Sequence, residues 1–338
     1  MNASPATLVI DTADGRPAAP VLVSVVIPCF KRPDLIEKAV RSVFAQDFPK
    51  QAYELLVVDS TPDESVLAVL TRLAPEATCR FRVFRKKPQG PGPSRNVGAE
   101  ASAGEWIAFM DSDCQATPGW LQGARLTEAP GDCGVLQGKT GPDPAEPLGV
   151  FKYYVVVEQE NFIYEACNIF YRREAFEEAG GFSVDLTPTS DVILGGEDVE
   201  LAWNVKHLGW ESGFAAGALV YHEVMPISIW RWIYIKRNHV WPLMTRKFPH
   251  LRRFWFAGYF FEPAQFYFSL LLLGVVGMFF SAWLGLLALP YVVFRASESS
   301  GTLTGFKRVA RPACYLLRDA ANFFVLLAGS VRFRSLLL

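Results

Sequence analysis

The stretch Gly104-Glu105-Trp106-Ile107-Ala108-Phe109-Met110-Asp111-Ser112-Asp113 decides how this chain is read. Trp106 to Met110 is an unbroken apolar run that suits a strand buried on both faces, and two carboxylates one residue apart follow it directly. An Asp-x-Asp in a solvated turn says little. At the end of a buried strand it stands where a divalent cation and diphosphate oxygens can meet, because magnesium and manganese prefer hard oxygen ligands and keep open positions.

Toward the N-terminus the pattern repeats. Leu22 to Ile27 is a second apolar run, ended by Pro28-Cys29-Phe30-Lys31. Pro33 fits a first helical position, and Leu35, Ile36, Ala39, Val40, Val43 and Phe44 then form one apolar helix face. Leu55 to Val58 reads as the next strand, Pro62 to Leu73 as a helix, Phe81 to Phe84 as a third strand, and Arg95 to Ala103 as a short helix. The βαβα succession implies a parallel sheet with helices on its faces, and ligands in such sheets sit outside the carboxyl ends of the strands. Those ends carry Pro28 to Lys31, Asp59-Ser60-Thr61 and Asp111-Ser112-Asp113. Asp59 by itself suits a helix cap as well as a ligand contact.

The loop Lys86 to Asn96 is glycine-rich and opens a helix, so its amides can face an anion. It holds a partial GxGxxG, but Arg95 replaces the last glycine and two prolines intervene, which disfavours a dinucleotide site; no GK[ST] follows, which excludes a P-loop. Further on, Gly195-Gly196-Glu197-Asp198 opens another helix. Acids there suit the helix dipole, while glycines let a backbone approach a ligand and a positioned carboxylate can serve as a base. Val220-Tyr221-His222 ends an apolar run; His207, His239 and His250 read as satisfied core partners.

Composition narrows the class. With 33 basic and 34 acidic residues no global field favours nucleic acid, and no basic-aromatic module is present. Six scattered cysteines show no CxxC spacing and read as buried thiols. Residues 1–20 lack the basic and apolar regions of a secretory signal and read as a disordered lead-in, which leaves the catalytic part in the cytoplasm.

As a set, SVVIPCFKRPDLIEKAVRSVFAQ, VVDSTPDES, QGPGPSRNVGAEASAGEWIAFMDSDC, NIFYRREAFEEAGGF and GGEDVELAWNVKHLGW resemble glycosyltransferase family 2 over roughly residues 21 to 225. The resemblance implies an α/β GT-A (Rossmann-like) domain with a mostly parallel central sheet that binds a nucleotide-sugar. It implies that Pro28, Phe30, Asp59, Arg95, Asp111, Ser112 and Asp113 line the donor, and that Asp113, Asp111 and His222 hold Mn2+ or Mg2+. It makes Asp198, in the pair with Glu197, the catalytic base of an inverting transfer, with Gly195, Gly196, Arg231 and Trp232 as candidate diphosphate or acceptor contacts. Two departures stand out. Asp59-Ser60-Thr61 replaces the frequent Asp-Asp-Gly-Ser, and only Arg231-Trp232 remains of the Gln-x-x-Arg-Trp motif of processive synthases, which points to one sugar per encounter.

The C-terminal part is different in kind. Pro263 to Phe294 contains no charged residue, more than the roughly 20 residues that span a bilayer. Lys236, Arg237, Arg246, Lys247, Arg252 and Arg253 precede it and Lys307, Arg308 and Arg311 follow, so both flanks read as cytoplasmic. The expected layout is a catalytic domain over 21–225, interfacial helices over 226–253, a membrane hairpin over 254–296 (two spans, or a re-entrant loop), and an amphipathic or membrane-associated segment over 297–338. An enzyme tethered at the inner membrane suggests a lipid-linked or oligosaccharide acceptor and a UDP-sugar donor. Competing expectations are transfer onto polyprenyl phosphate, an inactive scaffold of an export complex, and a nucleotidyltransferase, whose lysine-rich loop is missing here.

Overall fold

The strands expected from the apolar runs align in one sheet, in a computed structural model that describes residues 5–13, 20–149, 151–186, 195–298 and 306–338. The chain divides into two units, Met1–Met225 and Pro226–Leu338. In the first, the strands are β1 (Thr7–Asp11), β2 (Val23–Cys29), β3 (Tyr53–Asp59), β4 (Arg80–Arg85), β5 (Trp106–Met110), β6 (Cys114–Ala116), β7 (Cys133–Pro142), a short β8 (Lys152–Tyr153), β9 (Asn168–Arg172) and β10 (Glu211–His222). All but β8 share a sheet of order β1-β4-β3-β2-β5-β9-β7-β10-β6.

The half containing β4, β3, β2 and β5 is parallel, as expected. The other half is mixed: β9 runs antiparallel to both β5 and β7, β7 and β10 are parallel, and β6 closes the edge antiparallel to β10. β2, β3 and β5 are buried along their whole length, which is why their sequences do not alternate.

Helices α1 (Pro33–Phe44), α2 (Ser65–Leu73), α3 (Pro91–Ala101), α4 (Trp120–Gly123), α5 (Arg173–Glu178) and α6 (Glu197–His207) connect these strands. Helix α1 starts at Pro33 and buries Ile36, Ala39, Val40, Val43 and Phe44, the face its sequence spacing predicts. Helix α3 begins four residues earlier than its sequence suggests, at Pro91, and lies very close to β2. A Cβ at Gly98 would sit 2.3 Å from Val26 Cγ1, so only glycine lets α3 seat there.

Residues 1–20 are not simply a disordered lead-in. Thr7–Asp11 pairs antiparallel with β4 as an edge strand, Asp11 meets Arg80 at 2.8 Å, and Thr12 N–H donates to Phe81 O. A β-branched and apolar pentapeptide beside an open edge gains a ladder there. Residues 1–4 and 14–19 of that lead-in lie outside the described residues.

The second unit is helical: α7 (Ile229–Ile233), α8 (Trp241–Lys247), α9 (Pro263–Gly277), α10 (Leu289–Glu298) and α11 (Phe306–Phe333), with a 3-10 turn over Ala282–Ala288. The expected hairpin over 254–296 holds two short apolar helical stretches, Pro263–Gly277 and Ala282–Ser297. α9 has 15 residues and α10 has 10, each short of the roughly 20 that a crossing needs. Among the described residues the one helical stretch long and apolar enough to cross a membrane is Ala313–Phe333, within the segment expected to be amphipathic or membrane-associated.

Candidate active site

The carboxyl ends of β4, β3 and β2 are tied together by backbone, and β5 lies beside β2. Ser60 N–H donates to Cys29 O and Lys86 N–H to Asp59 O, both at 3.0 Å. Asp59 closes β3 and is fully buried. Its Oδ1 accepts the Thr61 N–H at 2.8 Å, whereas its Oδ2 has no hydrogen-bond partner and lies 3.7 Å from Arg85 Nε. A buried acceptor left without a donor is costly in a folded protein and marks a place where a ligand donor belongs. Burial raises the Asp59 carboxyl above its ordinary value, and the Thr61 and Arg85 contacts offset this only in part. Below it, burial and then the Asp59 charge push the Cys29 thiol up to about 12, so it is no nucleophile.

Beyond β5, the Asp-x-Asp splits into two differently held carboxylates. Asp111 faces Arg95, whose Nη2 donates to its Oδ1 at 2.6 Å. Asp113 is almost fully buried and pairs through Oδ2 with the guanidinium of Arg32, the residue that precedes α1. His222, at the end of β10, stands with Nε2 4.0 Å from Asp113 Oδ1. Its Nδ1 is 2.7 Å from Glu223 O. A carbonyl only accepts, so Nδ1 donates to it and Nε2 is the ring nitrogen that faces Asp113. That is the backbone-anchored arrangement in which a histidine serves a metal. Asp113, Cys114 and His222 offer ligand atoms within 4.8 Å of one another. The carboxylate and imidazole of this set fit a divalent cation of the manganese kind. Asp111 does not join them, because Arg95 holds it.

Arg95 links this edge to the next element. Buried and set over the Phe182 ring at 5.3 Å, its guanidinium also approaches Glu197 to 3.7 Å. Gly195 and Gly196 adopt φ of +83° and +85°, a region side chains disfavour, and swing the chain into α6. Glu197 turns inward to Arg95, while Asp198, half-buried, accepts the Val199 N–H through Oδ1 at 2.9 Å. Asp198 is close enough to push up the Glu165 carboxyl, which burial raises first.

The structure thus gathers Asp59, Arg95, Asp111, Ser112, Asp113, His222, Glu197 and Asp198 around the strand ends. Pro28 is buried in β2, and Phe30 is 45% exposed with Lys31 Nζ over its ring. Arg231 and Trp232 belong to α7 in the second unit, where Trp232 meets Tyr315 and Arg318. Sequence reading missed Arg32, Cys114 and Glu165. Arg32 stood in the quoted PCFKRP, but only three dimensions bring it to Asp113. Asn168 is structural: its side chain accepts from Trp120 Nε1 and donates to Lys139 O and Ala218 O, clamping three strands. His207 is exposed in the last turn of α6 rather than in the core, a favourable place for a cation at a helix end. All six cysteines are unpaired.

This geometry has matches among known proteins. The family described as Glycosyl transferase family 2 matches residues 24–126, and Glycosyl transferase family group 2 matches residues 106–297, more than half of the chain. The glycosyltransferase AglE of Haloferax volcanii is 25% identical over 61% of this chain and 68% of its own length. A Campylobacter jejuni GalNAc(5)-diNAcBac-PP-undecaprenol beta-1,3-glucosyltransferase is 32% identical over 29% of this chain, and the match spans 31% of that enzyme. A mannosyltransferase of Pyrobaculum calidifontis, solved with GDP-Man and Mn2+, superposes with a TM-score of 0.54 at 17% identity, over 95% of this chain and 91% of that one. The sheet is that of the GT-A transferases. The chain belongs to glycosyltransferase family 2.

Proposed function

We propose that this glycosyltransferase moves one sugar from a nucleoside-diphosphate donor, UDP-sugar before others, to a hydroxyl of a lipid-linked saccharide, with inversion, at the cytoplasmic face of a membrane. One observation carries it: three carboxylates stand at the strand ends, Asp59 with one oxygen lacking a donor and Asp111 and Asp113 held by arginines, and Arg95 joins Asp111 to the acidic helix start at Glu197-Asp198.

Each group has a task. Asp59 Oδ2 accepts the imide N–H of the base, which uracil, thymine and guanine carry and cytosine lacks. Arg95 orients Asp111 toward the ribose side and keeps Glu197 in place. Asp113 and His222 would hold Mn2+ or Mg2+, which when bound offsets charge growing on the diphosphate. Asp198 takes the proton of the acceptor hydroxyl as its oxygen bonds to the anomeric carbon. The bond from that carbon to the diphosphate breaks on the opposite face, the nucleoside diphosphate departs with the electron pair, and the configuration inverts. An undecaprenol-linked acceptor in the name of the Campylobacter relative, together with the apolar second unit, supports a lipid-linked acceptor.

Binding of UDP, GDP, TDP and CMP to detergent-purified protein, with and without manganese, tests this reading. Manganese-dependent binding of UDP and none of CMP is expected. Folded protein that binds none of the four would instead be the scaffold of an export complex.

A further inference from the structure

The uncharged segment of the second unit is folded as a shallow hairpin. α9 runs to Gly277, the chain turns at Met278–Ser281, and the following 3-10 turn packs straight back: Cβ positions at Gly274 and Gly277 would meet Ala288 N at 3.1 Å and Leu284 Cβ at 2.7 Å. The outer surface of this hairpin is apolar. Phe279, Phe280 and Trp283 at its tip are 89%, 84% and 79% exposed, and Val276, Leu286 and Val293 along its limbs are more than half exposed. An apolar patch of this extent is not tolerated in water without a partner. The turn is also suited to a medium that offers no hydrogen bonds. The N–H groups of Met278, Phe279, Phe280 and Ser281 all return to the carbonyls of Gly274, Val276 and Gly277.

The foot of the hairpin is marked by rings and charge. Phe268 of α9, Tyr291 of α10 and Phe323 of α11 meet there at 5.5–5.8 Å between centroids. Arg295, the first charge after the hairpin, donates to Asp319 of α11 at 2.8 Å, and Tyr291 joins the same carboxylate at 2.7 Å. From Phe268 to the end of α9 the helix rises about 14 Å. That is close to half of a bilayer's roughly 30 Å hydrocarbon core.

α11, long enough to cross, instead lies along the basic segment. Asn322 Oδ1 accepts from Asn238 Nδ2, a Cβ at Gly329 would sit 2.5 Å from His239 O, Arg246 Nη1 donates to Phe333 O, and Arg252 Nη1 to Leu336 O. Arg246, Lys247 and Arg253 are exposed on that segment, where anionic headgroups would meet them.

We propose that Leu270–Val293 dips into the acyl chains of one leaflet of an anionic bilayer and returns to the face it entered, with α11 lying at the interface. This rests on the membrane placement in the proposed function and gives the segment no complete span. The test places Phe280→Cys in a Cys314→Ser background, where the remaining cysteines are buried. Sealed membrane vesicles of known orientation are treated with a membrane-impermeant maleimide. No labelling from either side, and labelling once detergent is added, is expected. Labelling from the far side would establish a crossing, and labelling from the near side would place the tip in water; either overturns the proposal. Independently, Phe279→Glu/Phe280→Glu/Trp283→Glu should lower co-flotation with phosphatidylglycerol-containing liposomes at least tenfold while UDP binding stays at wild-type level. Unchanged flotation overturns the proposal. Loss of UDP binding in the wild type would instead count against the donor reading and leave the labelling result standing.

Discussion

The two ends of the sheet handle acidic side chains in opposite ways, and β3 carries one example at each end. Glu54, near its start, is fully buried and fully answered. Arg82 Nη2 meets Oε2 at 2.7 Å, and Ser24 Oγ and the Ala103 N–H each donate to Oε1 at 2.7 Å. Asp59, at its other end, is equally buried and has an oxygen with no donor. A buried charge is tolerated when hydrogen bonds surround it and is costly otherwise. The start of the sheet is therefore built for stability. The end is built to wait for something, and the same edge holds Asp111, Asp113, Glu197 and Asp198.

The sharpest way to break this contrast is at Asp198. Asp198→Asn keeps the size and the Val199 contact but removes the proton acceptor. Transfer should fall about a hundred- to ten-thousand-fold. Calorimetric UDP affinity should stay within about twofold, since the base acts on acceptor and not on donor. Wild-type turnover in this variant would move the base elsewhere.

At the opposite end, Glu54→Ala strands Arg82 and two further donors in the core. Breaking a buried pair on one side costs about 3–5 kcal/mol. Denaturant unfolding should show that loss, while the protein that remains folded binds UDP normally. Asp59→Asn should do the reverse, lowering UDP affinity by about tenfold, the loss of one charge-assisted hydrogen bond, and raising stability. The pH dependence gives the sign. Burial raises the folded Asp59 carboxyl above its unfolded value, so the folded state holds its proton more tightly. Wild-type stability then falls as pH rises from the unfolded carboxylate value through the folded one. The melting temperature of Asp59→Asn should match wild type in acid and exceed it above that window. A constant difference across pH would show that Asp59 is already satisfied.

The parallel half of the sheet was legible because strands buried on both faces write themselves as unbroken apolar runs, and Trp106 to Met110 was found to the residue. The mixed half was not. β7 mixes Gln137, Lys139 and Thr140 with glycines, and β10 is broken by Gly213 and Gly217, which leaves a short apolar run only at Ala218–Tyr221, ahead of His222. The site was legible wherever a polar residue followed an apolar run, as with Asp59, Asp111 and His222. Partnerships were not legible, since Arg32 is 81 residues from Asp113 and its charge could as well have faced solvent. The hairpin of the second unit was visible as a lack of charge, but its tight return depends on Gly274 and Gly277 letting the two limbs pack closely, which hydropathy does not register.

Arg32 offers the smallest and most discriminating test. Its guanidinium sits on Asp113 Oδ2 while His222 Nε2 faces Oδ1, so a divalent cation reaching this carboxylate must displace a resident positive charge. The Arg32 side chain is 39% exposed, and solvent screens such a pair to about 0.2–1 kcal/mol. Arg32→Ala should therefore tighten Mn2+ binding by about 2- to 5-fold, read by electron paramagnetic resonance without nucleotide, and Arg32→Lys should fall between. Asp113→Ala should abolish binding in every background, which separates competition at the carboxylate from a cation held elsewhere. If Arg32→Ala weakens Mn2+ instead, the guanidinium orders Asp113 for the metal and does not stand in for it. The end of the sheet would then be preorganised in the same manner as its start, and the contrast between the two ends would reduce to the single unpaired oxygen of Asp59.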